Sequence, residues 1–308
     1  MGKIAFVFAG QGAQYPGMGQ ELAQCSPAAA EIFAKLDALR PGTSAQCFGG
    51  TDEELKETKN TQPCMFAVEL AAAAALEEGG LRADMAAGFS LGEIGALTYT
   101  RAVDLETGFH LVCRRGELMQ AAAEEQPTAM AAVLKLSNEE VEQICAQFAQ
   151  VYPVNYNCPG QVSVACAKEQ LAPFSAAVKA AGGRALPLKV RGGFHSPFMA
   201  TAAQGFAQVL EECRVGQPEM PLYSNRTGAV YEGDPKPLLS QQIASPVRWE
   251  TIVRNMIAAG ADTFVELGPG KTLCGLIKKT APQAAVLQVE DADTLAAAVT
   301  ACKGEGTC

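Results

Sequence analysis

The stretch ADMAAGFSLGEIGALTYT, residues 83–100, joins a short apolar run to a helix-like segment through the turn Gly88-Phe89-Ser90-Leu91-Gly92. A serine between glycines, after a buried strand and before a helix, is the setting of a nucleophile elbow, whose hydroxyl is exposed on a sharp turn. The same residues permit a plainer reading: Ser90 could cap the helix, and Glu93 three residues on would complete a capping box. In either case a strand feeds a helix, which points to an α/β protein.

Working outward, KIAFVFAG (3–10) is a buried-strand run ending in glycine. PAAAEIFAKLDAL (27–39) and PCMFAVELAAAAALEEGG (63–80) have helical character, the second with Pro63 expected in its first turn. Residues 104–125 read as another helix. Strands alternating with helices imply a largely parallel sheet. The pattern then changes. AMAAVLKL (129–136), SNEEVEQICAQFA (137–149), VYPVNYN (151–157), QVSVACA (161–167), KEQLAPFSAAVKAAGG (168–183) and RALPLKV (184–190) follow as strand, helix, strand, strand, helix and strand. That βαββαβ order is the ferredoxin-like split motif. The expected organisation is a core from 1–126 and 191–308 with a ferredoxin-like subdomain inserted at 127–190. Helices at 199–213 and 248–259, a strand near MPLYSN (220–225) and the strand DTFVEL (262–267) complete the core.

Composition narrows the function classes. The 308 residues carry a formal net charge of −9, which argues against nucleic acid as a partner. An acidic partner would need a local basic spot rather than the overall field. No stretch has the apolar length of a membrane span, and the N-terminal run is too short for a signal segment; a cytoplasmic protein is expected. Eleven cysteines and two histidines are present, with no C-x-x-C. Zinc-ligand spacing is therefore absent, and the cysteines read as reduced, mostly buried small hydrophobes.

Two other glycine turns invite nucleotide readings, and both fail. A G-x-G-x-x-G beginning at Gly10 would need glycine where Tyr15 stands, and a P-loop ending at Gly270-Lys271-Thr272 would need it where Val265 stands. The histidines bear on Ser90, because a serine hydroxyl needs a positioned base. His110 shares a helical face with Arg114 and Glu117 and reads as solvated. His195 lies on a glycine-flanked loop after a strand, where catalytic groups concentrate, with Pro197 forcing extended backbone before it. An ordinary turn histidine remains the alternative. Arg115 shares its helical face with Leu111, Leu118, Met119 and Ala122. An arginine on an apolar face needs an anion: a structural carboxylate, or a substrate carboxylate gripped by the planar guanidinium.

FAGQGAQYPGMG, NTQP, GFSLGE, RRGELMQ, NYNCPGQ, GGFHSPFM, SNRTG, SPVRW and ELGPGKTLCGLIKK, in that order along nearly the whole chain, resemble the malonyl-CoA:acyl carrier protein transacylases of the acyltransferase superfamily. The resemblance implies an α/β-hydrolase-like core with an inserted ferredoxin-like subdomain. It implies Ser90 as the acyl-carrying nucleophile and His195 as its base. It gives the backbone N–H groups of Gln11 and Leu91 as the oxyanion hole, and Arg115 as the partner of the malonyl carboxylate. Asn157 and Gln161 fall in a matching substrate loop, and the Q-x-x-x-P-V stretch puts Gln242 near a backbone carbonyl that orients the histidine. Malonyl-CoA and acyl carrier protein are the implied partners, with a ping-pong cycle, no metal or other cofactor, and a monomer. Gly193 fits the malonyl-type loop. Arg191, Lys278 and Lys279 are candidates to meet the acidic carrier. A hydrolase, or a free-standing loading enzyme for polyketide assembly, would share many of these motifs. The chain departs from the family pattern at one place, where Phe89 replaces the usual histidine before the serine.

Overall fold

A computed structural model of the chain describes residues 2–303. Its strands are β1 (Lys3–Phe8), β2 (Met85–Gly88), β3 (Thr128–Leu134), β4 (Val151–Cys158), β5 (Gln161–Ala167), β6 (Arg184–Pro187), β7 (Leu222–Tyr223), β8 (Ala261–Leu267) and β9 (Ala285–Val289). Five of them form one sheet in the order β7-β2-β1-β8-β9, with every pairing parallel. Such a sheet is covered on both faces, and β1 shows how. Phe6 and Phe8 point into one core with the helices Thr58–Glu78, Gly92–Tyr99 and Leu105–Glu124, while Ala5 and Val7 point into another with Trp249–Ala258 and Thr272–Thr280. The strand order reverses across β1, where chain connections diverge and leave a crevice at the carboxyl ends of the strands. Phe8, Gly88 and Leu267 lie in register there, so β1, β2 and β8 end level with one another.

The other four strands form an antiparallel sheet in the order β4-β5-β3-β6. The helices Asn138–Cys145 and Leu171–Ala180 cover it, enclosing a separate core around Phe174, Val133 and Val164. The order and alternation are those of the split βαββαβ motif. Ser137 caps the first of these helices, and the Glu140 side chain returns to the Ser137 N–H in a full capping box. This sheet is joined to the larger unit by bonds from the Val247 N–H to the Val154 carbonyl at 2.8 Å and from the Tyr156 N–H to the Val247 carbonyl at 2.9 Å. The segment 242–247 is thereby held between the two sheets.

The helix expected to open at Pro63 in fact begins at Thr58, five residues earlier, and Pro63 is internal to it. Proline there removes a hydrogen bond. Burial on nearly every side, from Thr61 to Ala73, offsets that loss. The short helices Gln20–Cys25, Thr43–Gly49 and Lys236–Gln242, the strand β9 and the helix Ala292–Lys303 lie outside the sequence expectation, and RALPLKV is strand only as far as Pro187. Among the described residues no helix is long and apolar enough to cross a membrane, no cluster fits a metal ion, and all ten described cysteines are free.

Candidate active site

The elbow is built by close approach of backbone. A Cβ at Gly88 would overlap the Gly92 carbonyl, and one at Gly92 would overlap the carbonyls of Phe8 and Ala9. Neither glycine has a positive φ; the residue between them does, with Ser90 at φ 57°. A left-handed serine is strained, and the surroundings hold it there: the Ser90 N–H donates to Asn225 Oδ1 at 2.7 Å. The capping alternative falls, because the helix Gly92–Tyr99 has Leu91 at its N-cap and no side-chain cap. The Ser90 hydroxyl is instead 2.7 Å from His195 Nε2.

His195 also lies in the left-handed region, at φ 60°, and Ser196 before Pro197 is extended. Its Nδ1 is 3.0 Å from the Gln242 backbone carbonyl. A carbonyl can only accept, so Nδ1 carries the proton and Nε2 offers its lone pair to the serine hydroxyl. No carboxylate among the described residues holds the ring. Burial, and then the nearby Arg115 charge, push the imidazole down to about 4, so it is neutral near pH 7. His110 is exposed, as its helical face foretold.

Arg114 pairs with Glu117 at the surface. Arg115, one residue on, is 1% exposed. Its Nη1 donates to Gln62 Oε1 at 2.8 Å, and its Nη2 to Gln242 Oε1 at 2.7 Å and toward Ser90 Oγ at 3.3 Å. No carboxylate among the described residues contacts it directly; the buried Glu93 is reached only through the Gln242 amide. Burial lowers this guanidinium to about 10, and it remains charged near neutrality.

Several residues that sequence reasoning passed over complete the site. Glu93, fully buried, accepts from the Asn225 N–H at 2.9 Å, the Tyr231 hydroxyl at 2.7 Å and Gln242 Nε2 at 2.7 Å. The Gln242 Nε2 also reaches the Ser90 carbonyl at 2.8 Å, so this side chain contacts Ser90, Glu93 and Arg115 at once. Asn225 donates to the Gly88 carbonyl and accepts from the Ser90 N–H, clamping both ends of the turn. The SNRTG and NTQP motifs contained Asn225 and Gln62. Their partners are far away in sequence, so spacing alone could not assign them.

A cleft of about 240 Å³ opens between the two sheets over Ser90, His195 and Arg115. Gln11 and Leu91 line it, and neither backbone N–H bonds to another described residue. Asn157 also lines it, donating to Ser163 Oγ at 3.1 Å. Gln161 lies at the edge, where Lys279 Nζ reaches it at 3.2 Å. Lys278 is folded onto the Ala284 carbonyl at 2.6 Å, whereas Arg191 is exposed. The turn that imitates a P-loop is closed to phosphate: Glu266 accepts from the Leu273 and Cys274 N–H groups at 3.0 and 2.7 Å, occupying the helix N-terminus.

Strand, elbow, histidine and buried arginine together make an arrangement that acyl transfer through a serine would require. The chain belongs to the acyl transferase family: the acyl transferase domain model matches residues 5–302. Among its relatives, the malonyl CoA-acyl carrier protein transacylase of Bacillus subtilis (strain 168) is 37% identical over 313 residues, covering 99% of each chain. The crystal structure of malonyl CoA-acyl carrier protein transacylase from Clostridium perfringens superposes with TM-score 0.95 at 34% identity, covering 98% of this chain and 97% of that one. A malonyl-transacylase solved in complex with its type II PKS acyl-carrier protein gives TM-score 0.92 at 36% identity, covering 96% and 99%.

Proposed function

We propose that the chain transfers a malonyl group from malonyl-CoA to the phosphopantetheine thiol of an acyl carrier protein, through a malonyl ester on Ser90, in fatty acid synthesis. The observation that carries this reading is Arg115: a buried guanidinium with no direct carboxylate contact among the described residues, 3.3 Å from the serine hydroxyl in the cleft. A malonyl group on Ser90 would bring a carboxylate into direct contact with it. The distance and the planar fork favour a bidentate grip on that carboxylate.

In this mechanism His195 Nε2 takes the Ser90 proton as Oγ attacks the thioester carbonyl. The Gln11 and Leu91 N–H groups receive the oxyanion, each such donor being worth about 3 kcal/mol of barrier. Collapse breaks the C–S bond, and CoA leaves with the proton from the imidazolium. The carrier thiol then repeats the steps in reverse, passing its proton to His195 and displacing Ser90. Asn157 contributes to the substrate wall, and Gln242 orients the histidine. A nucleophile, a base and an oxyanion hole suffice for thioester exchange, so we assign no metal or other cofactor. We also infer a cytoplasmic monomer. Arg191 and Lys279 beside the cleft suit an acidic carrier; Lys278, already tied to a carbonyl, suits it less.

A carbonyl rather than a carboxylate on His195 Nδ1 favours transfer over a hydrolase reading. Loading of a polyketide carrier is a second reading, favoured by the likeness to the transacylase solved with a type II PKS carrier. The deciding experiment is intact-mass analysis after incubation with malonyl-CoA, followed by addition of carrier protein. We expect a malonyl adduct that Ser90→Ala abolishes and that moves to the carrier thiol. An adduct on the alanine variant would remove Ser90 from its role. Release as free malonate in the presence of carrier would identify a hydrolase.

A further inference from the structure

Glu93 has a place in the site that the acyl-transfer mechanism does not use. It is fully buried, and its two oxygens receive three donors, from Asn225, Tyr231 and Gln242, with no acceptor facing it. Three converging donors suit a carboxylate rather than a carboxylic acid. Its connection to Arg115 is indirect. The Gln242 amide donates to Glu93 at one end and accepts from Arg115 at the other, at 2.7 Å each, so one side chain couples a buried anion to a buried cation. The backbone carbonyl of the same Gln242 holds His195.

We propose that Glu93 is the positioning residue of this site: it balances Arg115 through Gln242 in the empty enzyme and takes up a proton when a substrate carboxylate arrives on Arg115. The proposal rests on the malonyl reading above and extends it to how the site accommodates a second anion. In the empty site Arg115 and Glu93 sum to zero. A malonyl carboxylate on the guanidinium would add a negative charge beside two fully buried groups, where screening is weak, and neutralising one of the anions relieves it. The substrate carboxylate gains the direct guanidinium contacts, so Glu93, one side chain further away, takes the proton from solvent.

The surrounding groups leave few other sites for that proton. Arg115 and Tyr231 act on Glu93 directly; His195 lies beyond Gln242, whose carbonyl it bonds, and Glu69 lies against Gly95 of the same helix. Burial raises Tyr231 and Glu69 well above their usual values and holds His195 down to about 4. Burial also raises Glu93 to about 7 against the lowering pull of its donors and Arg115. It can therefore change charge near neutrality without a large conformational shift.

Because malonyl binding would favour protonated Glu93, malonyl use must weaken as pH rises through the Glu93 titration, approaching tenfold per pH unit above it. Acetyl-CoA has no second carboxylate and serves as the internal control. The test measures kcat/KM for malonyl-CoA relative to acetyl-CoA from about pH 5.5 to 8.5 in the full chain and in Glu93→Gln. The ratio should fall with pH in the parent, mainly through KM, and be flat in the variant. A role in folding alone would depress both substrates together and leave the ratio's profile unchanged.

Stopped-flow indicator measurements on the parent keep the test independent of how the variant folds. Mixing with malonyl-CoA near pH 7 should take up a sizeable fraction of one proton per site, and mixing with acetyl-CoA none. No uptake alongside full malonyl adduct would overturn the proposal. Persistence of uptake in Glu93→Gln would move the proton to His195 and overturn it as well. If instead Arg115→Ala left the malonyl-to-acetyl ratio unchanged, the malonyl clamp itself would be at fault.

Discussion

The helix Gly92–Tyr99 is flanked by two fully buried carboxylic side chains whose surroundings differ. Glu93 leaves this helix toward the catalytic side, where three donors meet it. Glu69 comes from the neighbouring helix Thr58–Glu78 and abuts Gly95, where a Cβ would overlap its Oε2. Neither Glu69 oxygen has a hydrogen-bond partner among the described residues, and burial holds its carboxyl well above the usual range. One carboxyl belongs to a network that reaches Ser90, His195 and Arg115; the other is an isolated acid wedged against glycine and Phe8. Buried polar groups are costly unless satisfied, so the first can be retained for what it positions, while the second only costs stability.

The sharpest way to break the contrast is to remove the cation that the satisfied side serves. Arg115→Ala leaves Gln62 and Gln242 without their shared donor, and leaves an incoming malonyl carboxylate unpaired. Malonyl transfer should fall roughly 10²-fold or more, as expected when one member of a buried charged pair is truncated. Acetyl transfer should fall far less. Steady-state kinetics with both acyl-CoAs give the answer, and equal losses would sink the clamp.

The unsatisfied side predicts a gain. Glu69→Met keeps length and helix propensity while removing two orphaned oxygens, and should stabilise the fold by about 1–3 kcal/mol. Since a protein of this size shifts by roughly 2–4 °C per kcal/mol, thermal unfolding would resolve it. The pH dependence fixes the cause. An acid whose folded pKa is raised keeps its proton while the unfolded chain releases it, so parent stability declines as pH rises above the unfolded carboxylate value. The advantage of the methionine variant should therefore grow from about pH 4.5 upward, until the folded acid itself titrates. A constant advantage across that range would mean that packing, not ionisation, explains the gain.

The comparison also marks what could be read from the chain. Ser90, His195 and Arg115 stood out as candidates because each belongs to a local pattern: a strand–glycine–helix turn, a scarce residue on a glycine loop, and a charge on the wrong face of a helix. The βαββαβ succession was legible for the same reason, through periodicity and caps such as Ser137. Glu93 read as a capping-box partner because its true partners, Asn225, Tyr231 and Gln242, lie more than a hundred residues away. Glu69 gave no signal inside an alanine-rich helix. The early start at Thr58 escaped because Pro63 is a strong local marker that burial overrides. Local pattern singled out the candidate groups, the family resemblance suggested their roles, and the folded packing revealed what holds them.

The smallest expected effect concerns Phe89, the departure beside the nucleophile. Its ring lines the cleft, stands edge-to-face with Trp249 at 5.5 Å, and packs where a Cβ on Gly10 would meet it. It supplies no proton and touches neither Glu93 nor Arg115 in the hydrogen-bond network, so it belongs with the apolar wall rather than with the satisfied side. An apolar wall beside an ester limits the water that can attack it. Phe89→His should leave transfer to the carrier within a few-fold of the parent, because His195 and its carbonyl are untouched. It should raise the slow hydrolysis of the malonyl-enzyme, read as free malonate released without carrier present. A fall in hydrolysis would mean that the ring admits water or orders it for attack, and Phe89 would then have to be placed on the polar side of the site after all.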